Sequence, residues 1–547
     1  MIHNQAEILR RDTSRDGFIN RLELFLLTNF GWLWRLVQQS QLLTRWLNRF
    51  LTNFTIYKIT TRPYPYSLMT LDEHVPDTDR PKKPDVYTSW ESLRDQTYIG
   101  RHLPPNLQFN QQATLPTPEA LSGLFRKQKG ETIYSNKSTL LFPYWAQWFT
   151  DGFLRTDRDN RLRNTSNHHI DLAPVYGLNR RTTHQLRRFE GGKLKSQQIN
   201  NEEYPLFFYE DAETGTIKEE FKDLYIPLSD EVRQPPKRKA KLFAMGVERA
   251  NVQIGYVMLN VISLREHNRI CDLLAKAYPT WDDERLFQTA RNILIVTIMK
   301  IVIEDYVNHI TPYHFNAVLD PQSFPNEKWY RENWMSAEFN FVYRWHSALP
   351  ETFVYGGEQV PLLESLWNNQ MILDEGIGPL LQETSAQPAS KIGLFNTPDF
   401  LIEAAEIPTI KLGRRTQLAS YNDYREAYKF PRVARFEQIT SSAQTQEMLR
   451  KLYGKVDNIE LYVGLFAEEP HEDGLLGALA TRMIAVDALS HVLTNPLLAE
   501  NVYNKETFSA IGWEIIHETK TLSDLVNRNV SAGDKALEIS FYQSGAS

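Results

Sequence analysis

The segment EFNFVYRWHSALP, residues 338–350, places Tyr343 and His346 three positions apart inside an aromatic run. On a helix such positions share a face, with Cβ atoms about 5–6 Å apart. A histidine that ligates a haem iron would leave a tyrosine at this spacing beside the porphyrin, close enough to give up an electron to it. The result would be a tyrosyl radical next to whatever apolar channel the neighbouring residues line. The spacing alone has little weight, because 25 tyrosines and 13 histidines in 547 residues predict about 0.6 such pairs by chance. A histidine satisfied inside the core is the competing reading.

Those two side chains need rigid elements around them. The runs 246–277 and 285–310 both read as long apolar helices with polar ends, which belong inside a large α-domain. Strand-like alternation is sparse, and the fold class is mainly α. Residues 18–54 are crowded with Phe, Trp and Leu, yet Arg21, Glu23, Arg35, Arg45 and Arg49 interrupt each apolar run. A spanning helix is thereby excluded. Leu43, Trp46, Leu47, Phe50 and Phe54 follow helical spacing, as in amphipathic helices lying in one leaflet; packing on the body of the same chain is the alternative. Proline-rich connectors follow at 61–67, 79–87 and 103–120. The expected organisation is a polar tail over 1–17, membrane-binding helices over 18–62, a connector over 63–117 and a large helical domain over 118–547.

Composition narrows the function further. A net charge of −6 and a pI near 6.2 give no reason to expect nucleic-acid binding, and the basic stretch KRKAK, 237–241, reads as a solvated loop. Cys271 is the single cysteine, so no intramolecular disulfide can form. The polar start MIHNQAEILRRDTSRDG carries no apolar leader core, and the expected setting is cytoplasmic and non-secreted, with peripheral membrane association.

The stretch LREHNRICDLLAKAYPTWDDERLFQTARNILIVTIMKIVIEDYVNHITPYHF, 264–315, followed by EFNFVYRWHSALP, resembles the peroxidase domain of the cyclooxygenases, members of the animal-type haem peroxidase superfamily. SWESL at 89–93, WAQWFTDGF at 145–153 and HHIDLAPVYG at 168–177 match in the same order, and the resemblance runs from about residue 18 to about 515. It implies haem b, His346 as the proximal iron ligand and Tyr343 as the radical-bearing tyrosine. Tyr306, Val307, Ile310, Phe339, Val342 and Trp345 match residues that line the family's fatty-acid channel, and Tyr313 matches one at its mouth. The Trp-rich start resembles the family's monotopic membrane-binding helices, and a homodimer is the usual assembly.

Departures from that pattern are informative. Gln147 keeps the glutamine of the distal pocket, but Asp151 stands where the distal histidine is expected. That histidine moves a proton between the two oxygens of a peroxide, and an aspartate, ionised at neutral pH, suits the task poorly unless its pKa is altered. Weak peroxidase turnover is therefore expected, which would let a lipid hydroperoxide survive as the product. His168 and His169 match a position other than the distal one. Ala488 occupies the position of the channel serine that aspirin acylates, and Ile484 adds bulk where the family carries glycine, which argues against folding a chain into a doubly cyclised product. No arginine aligns securely with the family's carboxylate anchor; Lys58 and Arg62 are the nearest cations. TDRDN, 156–160, has oxygen ligands but lacks the glycine and spacing of a calcium loop.

The expected function is a haem-dependent dioxygenase that uses a tyrosyl radical to convert an unsaturated fatty acid, linoleate above others, and O2 to a hydroperoxide, resembling the linoleate dioxygenases of cyanobacteria. A haem peroxygenase or hydroperoxide isomerase with Asp151 as its carboxylate is the alternative enzyme, and a silent membrane-surface lipid-binding protein is the alternative from another class.

Overall fold

The structure, a computed structural model, describes residues 15–59, 99–104, 106, 109, 115–128, 132–157, 163–530 and 536–543. Helices dominate, and the strands among the described residues form four two-stranded antiparallel sheets. The expected mainly α class holds. Among the described residues three helices come first: α1 (Arg15–Thr28), α2 (Gly31–Gln38) and α3 (Gln41–Ile56).

The orientation of α3 inverts the usual rule for a surface helix. Its buried residues include Thr44, Asn48 and Thr52, one polar stripe at i, i+4 and i+8, whereas Leu43, Trp46 and Phe50 face outward. Polar bonds hold it down: the Asn48 amide exchanges two hydrogen bonds with the Val318 backbone at 2.9 and 3.1 Å, and Arg45 grips Asp320 bidentately. Of the nineteen large exposed apolar side chains among the described residues, thirteen lie between Phe18 and Tyr57. That concentration in one segment is unusual for a water-facing surface.

The core is built on α4 (Leu141–Thr150), α5 (Ile254–Ala277) and α6 (Asp283–Ile301). Nine of the ten residues of α4 are buried, and Gln147 is the exception. The approach of α5 to α4 requires Gly255, because a Cβ there would lie 2.0 Å from the Tyr144 ring. The side chain of Asp282 caps α6, which begins where the 285–310 reading placed it, but the helix changes at Val302–Val307 to a π-helical stretch before closing at Ile310. The run Asp283–Ile310 is apolar and long enough to cross a bilayer, yet 78% of its most apolar window is buried, which makes it a core helix. The other long helix starts at Ile254, later than the expected 246.

Later elements close around this core. They are α7 (Ala337–Val342), α8 (Ile407–Arg415), α9 (Ala478–Leu493) and α10 (Lys505–Glu518). Helix α9 packs on both α3 and α7, and α10 lies along α6. The connector motifs at 61–67 and 79–87, and SWESL, lie outside the described residues. The end of the connector is bound into the body: Gly100 exchanges backbone hydrogen bonds of 2.8 Å with Met335 and Ala337.

Candidate active site

Tyr343 and His346 do not share one helix. Helix α7 ends at Val342, Tyr343 is its C-terminal cap, and His346 opens a separate 3-10 turn, His346–Ala348. The cause is local. The indole N–H of Trp345 donates to the Val342 carbonyl, one of the orphan acceptors at the helix end, and Trp345 itself takes non-helical backbone angles. The single-helix expectation fails here, although both residues stay on one short, tightly held corner.

The histidine ring faces a carboxylate. Its Nδ1 lies 3.1 Å from Oε1 of Glu406, which is 1% exposed, while the His346 side chain keeps 17% of its surface between buried neighbours. Glu406 is fixed in turn by hydrogen bonds from Tyr462 at 2.6 Å and Thr397 at 3.0 Å. An imidazole whose one nitrogen faces a carboxylate leaves the other, Nε2, for a metal ion. The chemistry of this donor set fits a haem iron. Glu406 lies in the second π-helical segment, Ile402–Glu406, and Tyr306 and Val307 lie in the first. Such local widenings recur at functional sites.

Tyr343 sits in an aromatic enclosure. Its ring stacks on Trp345 at 4.8 Å and meets Phe339 edge-on at 5.0 Å. Burial raises its pKa well beyond the ordinary tyrosine range, so the phenol stays protonated. The Tyr306 and Tyr343 hydroxyls are near enough to perturb each other without an aligned hydrogen bond between them. Phe142 of α4 stacks on Tyr306 at 5.3 Å and on Trp345 at 5.5 Å, joining α4 to this corner.

At the other end of α4, Gln147 accepts a hydrogen bond of 3.2 Å from Gln253, and Asp151 closes the helix. The carboxylate of Asp151 is buried and heavily committed. It accepts a 3.0 Å bond from Tyr256, and Arg155 and Arg249 each lie 3.5 Å away. Burial is the largest influence and raises its pKa, against the lowering effect of the two arginines. Neither His168 nor His169 joins this group. His168 Nδ1 accepts from the Met335 amide at 3.0 Å, and His169 lies 3.9 Å from Glu332.

The expected channel residues separate into a buried set and a set at a cavity. Ile310, Phe339, Val342, Ile484 and Ala488 are buried, and Phe339 ties α7 to α9 by stacking on His491 at 5.9 Å. Val307 and Tyr313 line an open cavity with Ala485 and Leu489. Lys58 is buried beside Glu23 at 3.3 Å, while Arg62 lies outside the described residues. So do the last three residues of TDRDN, and no cluster of three metal-ligating His, Cys, Asp or Glu occurs among the described residues.

Sequence reading missed a buried pair behind Tyr343. His102 Nε2 lies 2.7 Å from Oδ1 of Asp487, and Ser336 donates to the other oxygen at 2.9 Å while its own Oγ caps α7 by accepting from Phe339 N–H. Both partners are at most 1% exposed at the side chain. Removing Asp487 takes that acceptor from the buried His102 ring and from the Ser336 hydroxyl, at about 1–3 kcal/mol for each group left unsatisfied. Asp487→Ala is expected to lose stability of that order in urea unfolding and to loosen the cap that sets Tyr343 at the other end of α7.

Residues 153–540 match the profile of the animal haem peroxidases. The chain belongs to that family. Relatives with a prostaglandin G/H synthase 2 name agree: the cattle protein is 30% identical over 523 residues, covering 92% of this chain and 80% of the relative, and the horse protein is 33% identical over 460 residues, covering 81% and 72%. Among solved structures, Arabidopsis thaliana fatty acid alpha-dioxygenase superposes with a TM-score of 0.66 at 16% identity over 98% of this chain and 94% of the other. Peroxidase A of Dictyostelium discoideum gives 0.64 at 19% identity, over 82% and 95%. At these identities the two structures show the fold. As a haem peroxidase relative the chain is an oxidoreductase. Glu406 and Tyr462 carried no sequence signal, because they stand 60 and 116 positions from His346 in segments without a recognisable spacing.

Proposed function

We propose that this haem peroxidase is a fatty-acid dioxygenase in which Tyr343 carries the reacting radical and a C18 acid such as linoleate is the substrate. The observation that carries the reading is Tyr343 itself: a protonated phenol enclosed by Phe339 and Trp345, beside a histidine whose Nδ1 faces Glu406. His346 Nε2 would hold haem b, which would supply the one-electron oxidant after reaction with a priming lipid hydroperoxide. Tyr343 loses an electron and its phenolic proton, and the phenoxyl radical takes a hydrogen atom from an activated allylic carbon. O2 adds to the carbon radical, and the peroxyl radical takes the hydrogen back from Tyr343. The sum is RH + O2 giving ROOH. The enclosure excludes water and holds the acyl carbon against the phenol, which is the protein's share of the work. The prostaglandin G/H synthase names of the relatives support lipid oxygenation.

The outward apolar face of α1 to α3 supports peripheral attachment to one leaflet, which would let a lipid enter from the membrane; a cytoplasmic location and a homodimer belong to the same proposal. Asp151 explains why the hydroperoxide would persist. Burial raises its pKa, but its oxygens are committed to Tyr256, Arg155 and Arg249, and that clamp makes it a poor mobile acid and base. Replacing it by histidine is expected to raise hydroperoxide consumption about 10²-fold, within the range of one general acid–base group. The test compares oxygen uptake on linoleic acid with consumption of added linoleate hydroperoxide, in wild type and Asp151→His. Uptake well ahead of consumption in the wild type supports the proposal; rapid consumption without uptake would replace it by a peroxygenase or isomerase.

A further inference from the structure

A second buried tyrosine stands where α4 and α5 meet. Two polar rungs join the helices there: Gln253 donates to Gln147 at 3.2 Å, and Tyr256 donates to Oδ2 of Asp151 at 3.0 Å. Gln147 and Asp151 are four residues apart and Gln253 and Tyr256 three, so the two rungs lie one helical turn apart along a single seam. Tyr256 and Asp151 are both buried. The arginine contacts of Asp151 are looser, at 3.5 Å from Arg155 and Arg249, and Arg155 keeps a second carboxylate, Glu248, at 2.6 Å.

That arrangement suits a phenol that is oxidised in place. A tyrosine gives up an electron readily only when its proton leaves as well, because the phenol cation is a strong acid. For Tyr256 the proton acceptor is already in the hydrogen bond. Burial and the Asp151 charge keep the phenol protonated at rest. Once the electron has gone, moving the proton removes a buried negative charge from Asp151, a change that its burial favours. Arg155 is not left uncompensated by the transfer, because Glu248 still holds it.

The other tyrosines near the site lack this combination. Among the described residues no carboxylate accepts from the Tyr343 hydroxyl, which faces the Tyr306 phenol, a poor proton acceptor. Tyr462 does bond a carboxylate, Glu406, at 2.6 Å. A proton there would weaken the contact of Glu406 with His346 Nδ1.

We propose that Tyr256 is a second redox-active tyrosine, which gives one electron to the haem oxidised by a lipid hydroperoxide and its phenolic proton to Oδ2 of Asp151. The products are a neutral phenoxyl radical, a neutral carboxylic acid and a haem reduced by one electron. A hydroperoxide carries two oxidising equivalents, and Tyr343 needs one to begin turnover. Tyr256 takes the other. The proton moves along one existing bond, so the clamp that makes Asp151 a poor shuttle between peroxide oxygens does not hinder it. The inference rests on the haem-dioxygenase reading above, with Gln147 and Asp151 on the side of the haem opposite His346.

The haem-loaded Tyr343→Phe protein is mixed with peracetic acid, whose acetate leaving group needs no proton from Asp151, and freeze-quenched for electron paramagnetic resonance. Visible spectra establish that the haem is oxidised to the same extent in each variant. The expected result is a tyrosyl radical in Tyr343→Phe, identified by its narrowing with ring-deuterated tyrosine. That signal is lost when Tyr256→Phe is added, and lost when Asp151→Asn is added, since the amide accepts a hydrogen bond but not the proton. An undiminished signal after adding Tyr256→Phe overturns the inference, as does the absence of a tyrosyl signal in Tyr343→Phe whose haem has been oxidised. If the Tyr256→Phe protein does not bind haem, Asp151→Asn decides: loss of the signal supports the inference and its persistence overturns it. A haem that peracetic acid leaves unchanged removes the dioxygenase reading and this inference with it. The expected radicals in a protein that takes up no oxygen on linoleate count against the dioxygenase reading alone.

Discussion

Tyr343→Phe is expected to keep its bound haem and its fold while oxygen uptake on linoleate falls by about 10³-fold or more, since phenylalanine lacks the reactive phenolic hydrogen. Phenylalanine preserves the ring that stacks on Trp345 and meets Phe339, so the enclosure survives. What it lacks is the O–H that burial keeps protonated. Tyr306, whose hydroxyl is also buried, is close enough to perturb Tyr343, and Tyr306→Phe provides the control. Oxygen-electrode rates with an unchanged visible spectrum give the measurement. Full activity in Tyr343→Phe would assign the radical elsewhere.

The second large effect is expected at Glu406. Alanine there removes the carboxylate 3.1 Å from His346 Nδ1 and takes that acceptor from Tyr462 and Thr397. Loss of an orienting partner behind a metal-ligating histidine typically costs 10–100-fold in affinity, so haem should bind Glu406→Ala about 10–100-fold more weakly. The buried Thr397 hydroxyl, left without its acceptor, should cost stability as well, about 1–3 kcal/mol, while Tyr462 keeps the Arg344 carbonyl at 3.5 Å. Titrating the apoprotein with haemin and following the visible absorption reads the first effect, and thermal unfolding of the apoprotein reads the second. An unaltered haem affinity would mean that Glu406 does not set the ligand.

The elements that were legible in the sequence are those whose signal is local. The helix over 285–310 shows as an apolar run with polar ends, and α1 to α3 show as interrupted aromatic stretches. What such runs do not reveal is which face turns inward. The buried stripe of α3 is Thr44, Asn48 and Thr52, the side a hydrophobic pattern would send to water, because polar bonds to Val318, Asp320 and Glu327 hold it. The Tyr343–His346 corner was legible as a motif but not as a conformation, since Trp345 ends the helix by bonding back to Val342. Groups that act across the fold were invisible. Glu406 reaches His346 from a π-helical segment, and Asp487 reaches His102 across 385 positions.

The most direct measurement is to incubate the haem-loaded protein with linoleic acid under ¹⁸O2 and identify the products by chiral chromatography with mass spectrometry. The account predicts a single hydroperoxide carrying both labelled atoms, formed by the wild type and absent with Tyr343→Phe. Unlabelled linoleate recovered from protein with a normal haem spectrum would contradict it.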